Sequence, residues 1–209
     1  MQIAILGSGN VGKALASSLT GAGHRVTLTA STPDHARAAA SQTGAQAADS
    51  NTQAIADAEV VVLAVQYPTV DAVLADAGDA LDGKVLIDTT NRVDPANPGS
   101  VLDGTSAAEQ LQARIPGGQG GQGVKHRLRL PPGRPGHRRG RPGRVPGRRR
   151  RPGQADRQRA GRLDRVPPID VGPLVMARAL EGLALLNIML QIRNNWPWQA
   201  GFKLVGPTS

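Results

Sequence analysis

The hexad Gly7-Ser8-Gly9-Asn10-Val11-Gly12 has the glycine spacing that lets a backbone, with no reactive side chain, hold a diphosphate. Gly7 would permit a tight turn, Gly9 the close approach of a pyrophosphate, and Gly12 the packing of a following helix against the strand before it. Ser8, Asn10 and Val11 would then offer backbone N–H groups, with the positive end of the helix dipole behind them. Such a hexad alone is more often a plain turn. Its surroundings decide: Gln2 to Leu6 read as a buried strand, Lys13 to Leu19 have helical spacing, Gly21 to Gly23 stop that helix, and Arg25 to Thr29 form a second strand. The result is a βαβ unit of about 30 residues.

The residues ending the second strand bear on the cofactor. An Asp or Glu there would bond an unphosphorylated ribose and repel a 2′-phosphate. This chain has Ala30-Ser31-Thr32, with Arg37 one turn into the next helix, so NADP is favoured over NAD. Thr32 is equally explained as the N-cap before Pro33, Arg37 as a solvated helix charge, and Asp34 as a first-turn acid drawn by the helix dipole. Val65, Gln66 and Tyr67 end the third apolar run and Thr89-Thr90-Asn91 the fourth, at strand ends where an open α/β sheet places its ligand. Asn91 there could bond a nicotinamide carboxamide and Tyr67 could flank its ring; a turn Asn and a packing Tyr would look the same. The chain has no cysteine, hence no thiolate site and no disulfide, and His24, His35, His126 and His137 lack metal-ligand spacing. No side chain is assigned as a chemical catalyst; hydride transfer between two redox cofactors requires only orientation and a dry site.

The elements that would position these residues continue the pattern. Glu59 to Val65 and Lys84 to Asp88 are apolar runs of the kind found in central parallel strands, with an alanine-rich helix from near Pro68 between them. Strands and helices alternate to about residue 115, which predicts a Rossmann-type, doubly wound parallel α/β sheet over residues 1–116. Residues 117–166 break it: of the chain's 25 Lys and Arg and 16 Asp and Glu, 16 and 2 respectively fall there, a net +14 against −5 elsewhere. Gly, Arg, Pro, Gln and His dominate the stretch, which holds no aromatic residue and cannot build a core. Residues 167–209 restore order as a C-terminal helical segment, with Leu174, Ala177, Leu180, Leu183 and Leu186 at helical spacing. Its apolar run, Ala179 to Ile192, is shorter than the roughly 20 residues that span a bilayer and carries Glu181, Asn187 and Gln191, which reads as a core helix, not an anchor. Without a secretory signal at its start, the chain reads as cytoplasmic. The helix from Pro173, apolar on more than one face, is a candidate homodimer contact. Three of the four aromatic residues lie in the last 14 positions, suggesting a docked tail.

The opening Met1 to Gly12, the strand end Ala64-Val65-Gln66-Tyr67, the run Asp88-Thr89-Thr90-Asn91, and the tail from Asp170-Val171-Gly172-Pro173-Leu174 through Ala179-Leu180-Glu181 together resemble the NADPH-dependent reductases of the deazaflavin coenzyme F-420. The first motif alone is shared with pyrroline-carboxylate and ketopantoate reductases. The resemblance implies hydride transfer between NADP(H) and a small-molecule redox acceptor, coenzyme F-420 or a flavin-like co-substrate, held between the Rossmann half and the C-terminal helix. Where that family resembles Val-Val-Lys-Ala followed by further strands, this chain has residues 117–166. Codons for Gly120 to Arg127 permit that pattern once a base is dropped, and a compensating shift near Val166 to Pro168 restores it. A GC-rich gene read out of frame gives such an Arg, Gly and Pro composition, so the segment is expected to be a frame-shifted reading. The competing reading is an Arg/Gly-rich nucleic-acid-binding insert, disfavoured because it lacks stacking aromatics and interrupts a sheet. A non-catalytic NADP-binding protein is the other alternative.

Overall fold

The computed structural model describes residues 1–93, 97, 99, 104–115, 171–198 and 200–202. Among these, β1 (Gln2–Leu6), α1 (Asn10–Gly21), β2 (Arg25–Thr29), α2 (Pro33–Thr43), β3 (Gln46–Ala47), α3 (Asn51–Ile55), β4 (Val60–Leu63), α4 (Val70–Ala77) and β5 (Val85–Asp88) alternate along the chain. Helix α5 (Ala107–Arg114) follows, and a single 3-10 turn, Leu174–Met176, leads into the long helix α6 (Ala177–Arg193). The five strands form one parallel sheet in the order β3-β2-β1-β4-β5. This is the doubly wound sheet expected from the sequence, accompanied by the expected C-terminal helix.

The apolar runs became central strands because both faces of the sheet are covered. Ala4, Leu6, Val61, Leu63 and Leu86 face one layer with Ala54, Ile55, Val70, Ala77 and Leu111. Their alternates Ile3, Ile5, Val60 and Val62, joined by Val26 and Leu28, face the other with Ala16 and Ala39. Ile5, Leu6, Leu28, Val61 and Leu63 are fully buried. A run that buries every side chain, odd and even alike, cannot show the polar alternation of a one-faced sheet. Strand β3 has the opposite character: two exposed residues at the edge, with no apolar signature.

The sequence placed the first helix after the hexad; the structure starts it at Asn10, inside the hexad, with Gly9 as N-cap. Near Pro68 a 3-10 turn, Tyr67–Thr69, precedes the alanine-rich helix, because the proline favours the first turn and gives no N–H to a longer ladder. The C-terminal helix with its 3-10 turn spans Leu174–Arg193, 20 residues within which an 18-residue window has mean hydropathy 1.4, and by length and composition alone this is enough to cross a membrane. The helix is thus longer at both ends than the apolar run Ala179 to Ile192 that the sequence pattern marks out, because the 3-10 turn Leu174–Met176 and Ala177-Arg178 extend it at the start and Arg193 at the end. Its charged residues grip α5. Glu181, 3% exposed, accepts hydrogen bonds from the backbone N–H of Ala107 (2.9 Å) and Ala108 (3.2 Å). A bilayer span would have to strip that carboxylate of both donors, at a cost of several kcal/mol in hydrocarbon. The tail is tied to the helix through Asn187, whose side-chain N–H donates to the Ala200 carbonyl (3.2 Å), while Trp196 and Trp198 are exposed. The tail is thus tethered by its backbone, and its aromatic residues 196 and 198 do not dock as expected. The Arg-rich block and its frame-shift reading lie outside the described residues.

A candidate dinucleotide site at the carboxyl edge of the sheet

All strands being parallel, Leu6, Thr29, Leu63 and Asp88 end on one edge. Chain connections leave β1 toward β2 on one side, and β4 takes its place on the other, so the edge between β1 and β4 is the topological switch point where open α/β sheets take ligands. The hexad lies there. Gly7 adopts φ +113°, a left-handed conformation that favours glycine, and its N–H donates to the Thr29 carbonyl (3.2 Å). A Cβ on Gly7 would fall 2.3 Å from the Ala64 carbonyl oxygen, and one on Gly12 would fall 2.0 Å from the Gly7 carbonyl oxygen. Both positions are closed by backbone that cannot move aside.

Gly9 differs. A Cβ there would meet nothing within 4 Å, and its backbone, φ −67° and ψ −172°, is extended and open to any residue. No side chain caps the helix that starts at Asn10, although Ser, Thr, Asp or Asn would be the ordinary choice. Gly9, Asn10 and Val11 are exposed and Ser8 half-buried. A bare, uncapped helix start in front of an open glycine fits a diphosphate bound through N–H groups, and a side chain at Gly9 would occupy that space.

Around this turn the other expected site residues fall into two groups. Val65 and Tyr67 are half-buried against the core, Gln66 is exposed, and Tyr67 donates its hydroxyl to Gln110 Oε1 on α5 at 2.5 Å. Thr89 binds the Leu63 carbonyl through its N–H (3.1 Å) and its hydroxyl (2.7 Å), and Asp88 Oδ1 accepts the Thr90 N–H (2.8 Å). These bonds pin the end of β5 to the end of β4 and bring exposed Asn91 to the same edge. On the β2 side, Ser31 is exposed and Thr32 caps α2, its hydroxyl accepting the His35 N–H (3.3 Å). Arg37 donates from Nη1 to Asp34 Oδ1 and from Nη2 to Asp49 Oδ1, both at 2.9 Å. The plainer accounts of Thr32 and Arg37, a cap and a paired surface charge, therefore describe this structure, with Arg37 forked between two carboxylates at the end of the sheet where a ribose 2′-phosphate would lie.

A second polar cluster escaped the sequence reading. Ser106 and Glu109 form a reciprocal capping box at the start of α5, and Arg178 of α6 binds Glu109 through two nitrogens at 2.8 Å each. The Arg178 guanidinium, then the Ser106 hydroxyl and backbone, hold the Glu109 carboxyl down to about 2 from its usual 4.5, and the Arg178 pKa is raised in return. The Ser-x-x-Glu spacing was readable as a helix start. The partner 69 residues away was not. Because the folded-state value lies below the unfolded one, whatever this pair contributes is fully present above about pH 4.5 and is lost as pH falls toward 2. Protection of the α6 amides, taken relative to their intrinsic exchange rates at each pH, is expected to fall across that window in the wild type and to fall less in Glu109→Gln; equal changes in the two proteins would show that the pair does not hold α6.

A glycine turn at the switch point of a five-stranded parallel sheet in the order β3-β2-β1-β4-β5 defines a Rossmann-like α/β fold. Residues 2–92 match the model of a family described as NADP oxidoreductase coenzyme F420-dependent, and the resemblance read from the sequence is borne out over that segment. A crystal structure from Arthrobacter sp. FB24, assigned as an F420 dependent NADP-reductase, aligns with a TM-score of 0.70 at 23% identity, covering 99% of this chain and 100% of that one. At that identity the likeness establishes the fold. The 3-hydroxyisobutyrate dehydrogenase of Mycobacterium tuberculosis aligns over 59% of this chain and 38% of its own, at 25% identity and a TM-score of 0.46. A reductive aminase from Aspergillus terreus in complex with NADPH aligns over 54% and 35%, at 26% identity and a TM-score of 0.42. No curated protein matches the sequence.

Proposed function

We propose that this chain is an oxidoreductase that binds NADP(H) at the carboxyl edge of its sheet and exchanges a hydride with a deazaflavin such as coenzyme F-420. The observation that carries the reading is the uncapped helix start at Asn10 behind an open Gly9, within the segment matching the F420-dependent family. Ser8, Asn10 and Val11 would hold the diphosphate through backbone N–H, Ser31, Thr32 and Arg37 the 2′-phosphate, and Asn91 the nicotinamide carboxamide, with Val65, Gln66 and Tyr67 beside its ring. The nicotinamide supplies the hydride; the chain's own share is to fix the ring's face and keep water out, so no acid or base is assigned.

The test is to mix the purified full-length protein with NADPH and coenzyme F-420 and follow bleaching of the deazaflavin. Stoichiometric bleaching with NADPH supports the reading. NADPH binding without oxidation by F-420 or a flavin would leave a cofactor-binding protein and sink the enzymatic claim. The protein should be peptide-mapped at the same time: peptides from the shifted frame across residues 117–166 are expected, and peptides of the Arg-rich sequence would refute the frame shift and make salt-dependent RNA binding the next assay. A homodimer through α6, where Leu186 and Ile192 are 50% and 54% exposed, is expected in sedimentation, and a monomer at micromolar concentration would end that proposal.

A further inference from the structure

We propose that Asp49 sets how well this site accepts a 2′-phosphorylated ribose, by holding the Arg37 guanidinium away from it; the inference rests on the NADP reading above. β3 lies beside β2 in parallel register, Thr27 opposite Gln46 and Leu28 opposite Ala47, so Asp49, two residues beyond Ala47, reaches the same edge as Ala30-Ser31. The position is built, not incidental. The Asp49 N–H donates to Gln53 Oε1 (2.9 Å), while the Gln53 N–H donates to Ser50 Oγ (3.1 Å), so the turn that carries Asp49 is locked to the first turn of α3. From that turn the Asp49 carboxylate takes one arm of Arg37 at 2.9 Å, and Asp34 takes the other.

An acid at the end of β2 itself would select against a 2′-phosphate, and β2 carries none. The neighbouring strand brings one to the same edge. Arg37, Asp34 and Asp49 sum to a formal −1, so a phosphate arriving with a charge near −2 meets net repulsion until Arg37 is released. Asp34 sits in the first turn of α2, where the helix dipole accounts for it; Asp49 lies outside any helix, and its carboxylate is the part of the trio that can be removed without disturbing a helix start. Side-chain exposures of 57% for Arg37 and 64% for Asp49 make the effect moderate and sensitive to salt.

The measurement is the dissociation constant of NADPH and of NADH, by nucleotide fluorescence, for the full-length wild type, Asp49→Asn, Arg37→Gln and the double variant. Asp49→Asn is expected to tighten NADPH about threefold and leave NADH unchanged, the scale of one exposed ion pair. Arg37→Gln is expected to weaken NADPH by about fivefold, and in that background Asp49→Asn to do little, since Asp49 acts through Arg37. Unchanged NADPH affinity in Asp49→Asn, an equal gain for NADH, or an equal gain in both backgrounds would each overturn the proposal. A wild type that binds neither nucleotide would overturn the cofactor reading itself, and this inference with it.

Discussion

Gly9→Val is expected to weaken NADPH binding by about 10- to 100-fold while leaving the melting temperature within a few degrees of wild type. The reason is the contrast among the three glycines of the turn. At Gly9 the backbone is extended and a Cβ meets nothing within 4 Å, so the folded chain tolerates the side chain. The same side chain would stand where a pyrophosphate must approach the N–H groups, and a clash of that size costs about 1–3 kcal/mol. Gly12→Ala should do the reverse. Its Cβ would sit 2.0 Å from the Gly7 carbonyl oxygen, forcing α1 off β1, at a cost of about 3 kcal/mol and a fall in melting temperature of roughly 10 °C. Paired thermal melts and nucleotide titrations separate the two. If Gly9→Val binds NADPH as tightly as the wild type, the diphosphate does not lie at this turn and the functional reading has lost its support.

That contrast also shows what the sequence could and could not reveal. The strand, turn, helix and second strand were legible because each rests on a local rule: a doubly buried run, glycines where a Cβ is forbidden, and a helical period after them. β4 and β5 were legible for the same reason. β3 was not, since Gln46–Ala47 is a two-residue edge strand whose pairing depends on β2 and not on its own residues. With β3 unread, Asp49 had no place, and Arg37 looked free when it is forked between two carboxylates from different elements. Thr32 was ambiguous because a hydroxyl that caps a helix and one that could greet a ribose phosphate occupy the same position in sequence. Asn91 and Tyr67 were placed at strand ends by counting alone, and the structure brings both to the edge, with the Tyr67 hydroxyl bonded to Gln110. Glu181 was read as one polar residue in an apolar helix, because nothing local distinguishes a solvated acid from one that caps another helix 74 residues away.

Glu181→Ala is therefore the substitution expected to cost the described structure most outside the glycine turn. The carboxylate is 3% exposed and accepts from the Ala107 and Ala108 N–H groups, which are among the donors that a helix start leaves without intrahelical partners. Truncation strips both donors of this acceptor and opens a void, which together amount to about 3–4 kcal/mol. Glu181→Gln keeps the size and one acceptor oxygen but loses the charge that favours a helix N-terminus, and should cost about 1–2 kcal/mol. Thermal melts give the totals, and amide exchange gives the place: α6 and the first turn of α5 should lose protection in Glu181→Ala, while β1 and β4 keep theirs. The ion pair between Arg178 and Glu109 lies on the same contact but is more exposed, so Arg178→Ala should lower the melting temperature by far less. Equally small losses from the two variants would mean that α6 is held by its apolar packing and that the buried acid is incidental; a large loss from Glu181→Ala alone would make one carboxylate, carried by the C-terminal segment, the main tie between that segment and α5.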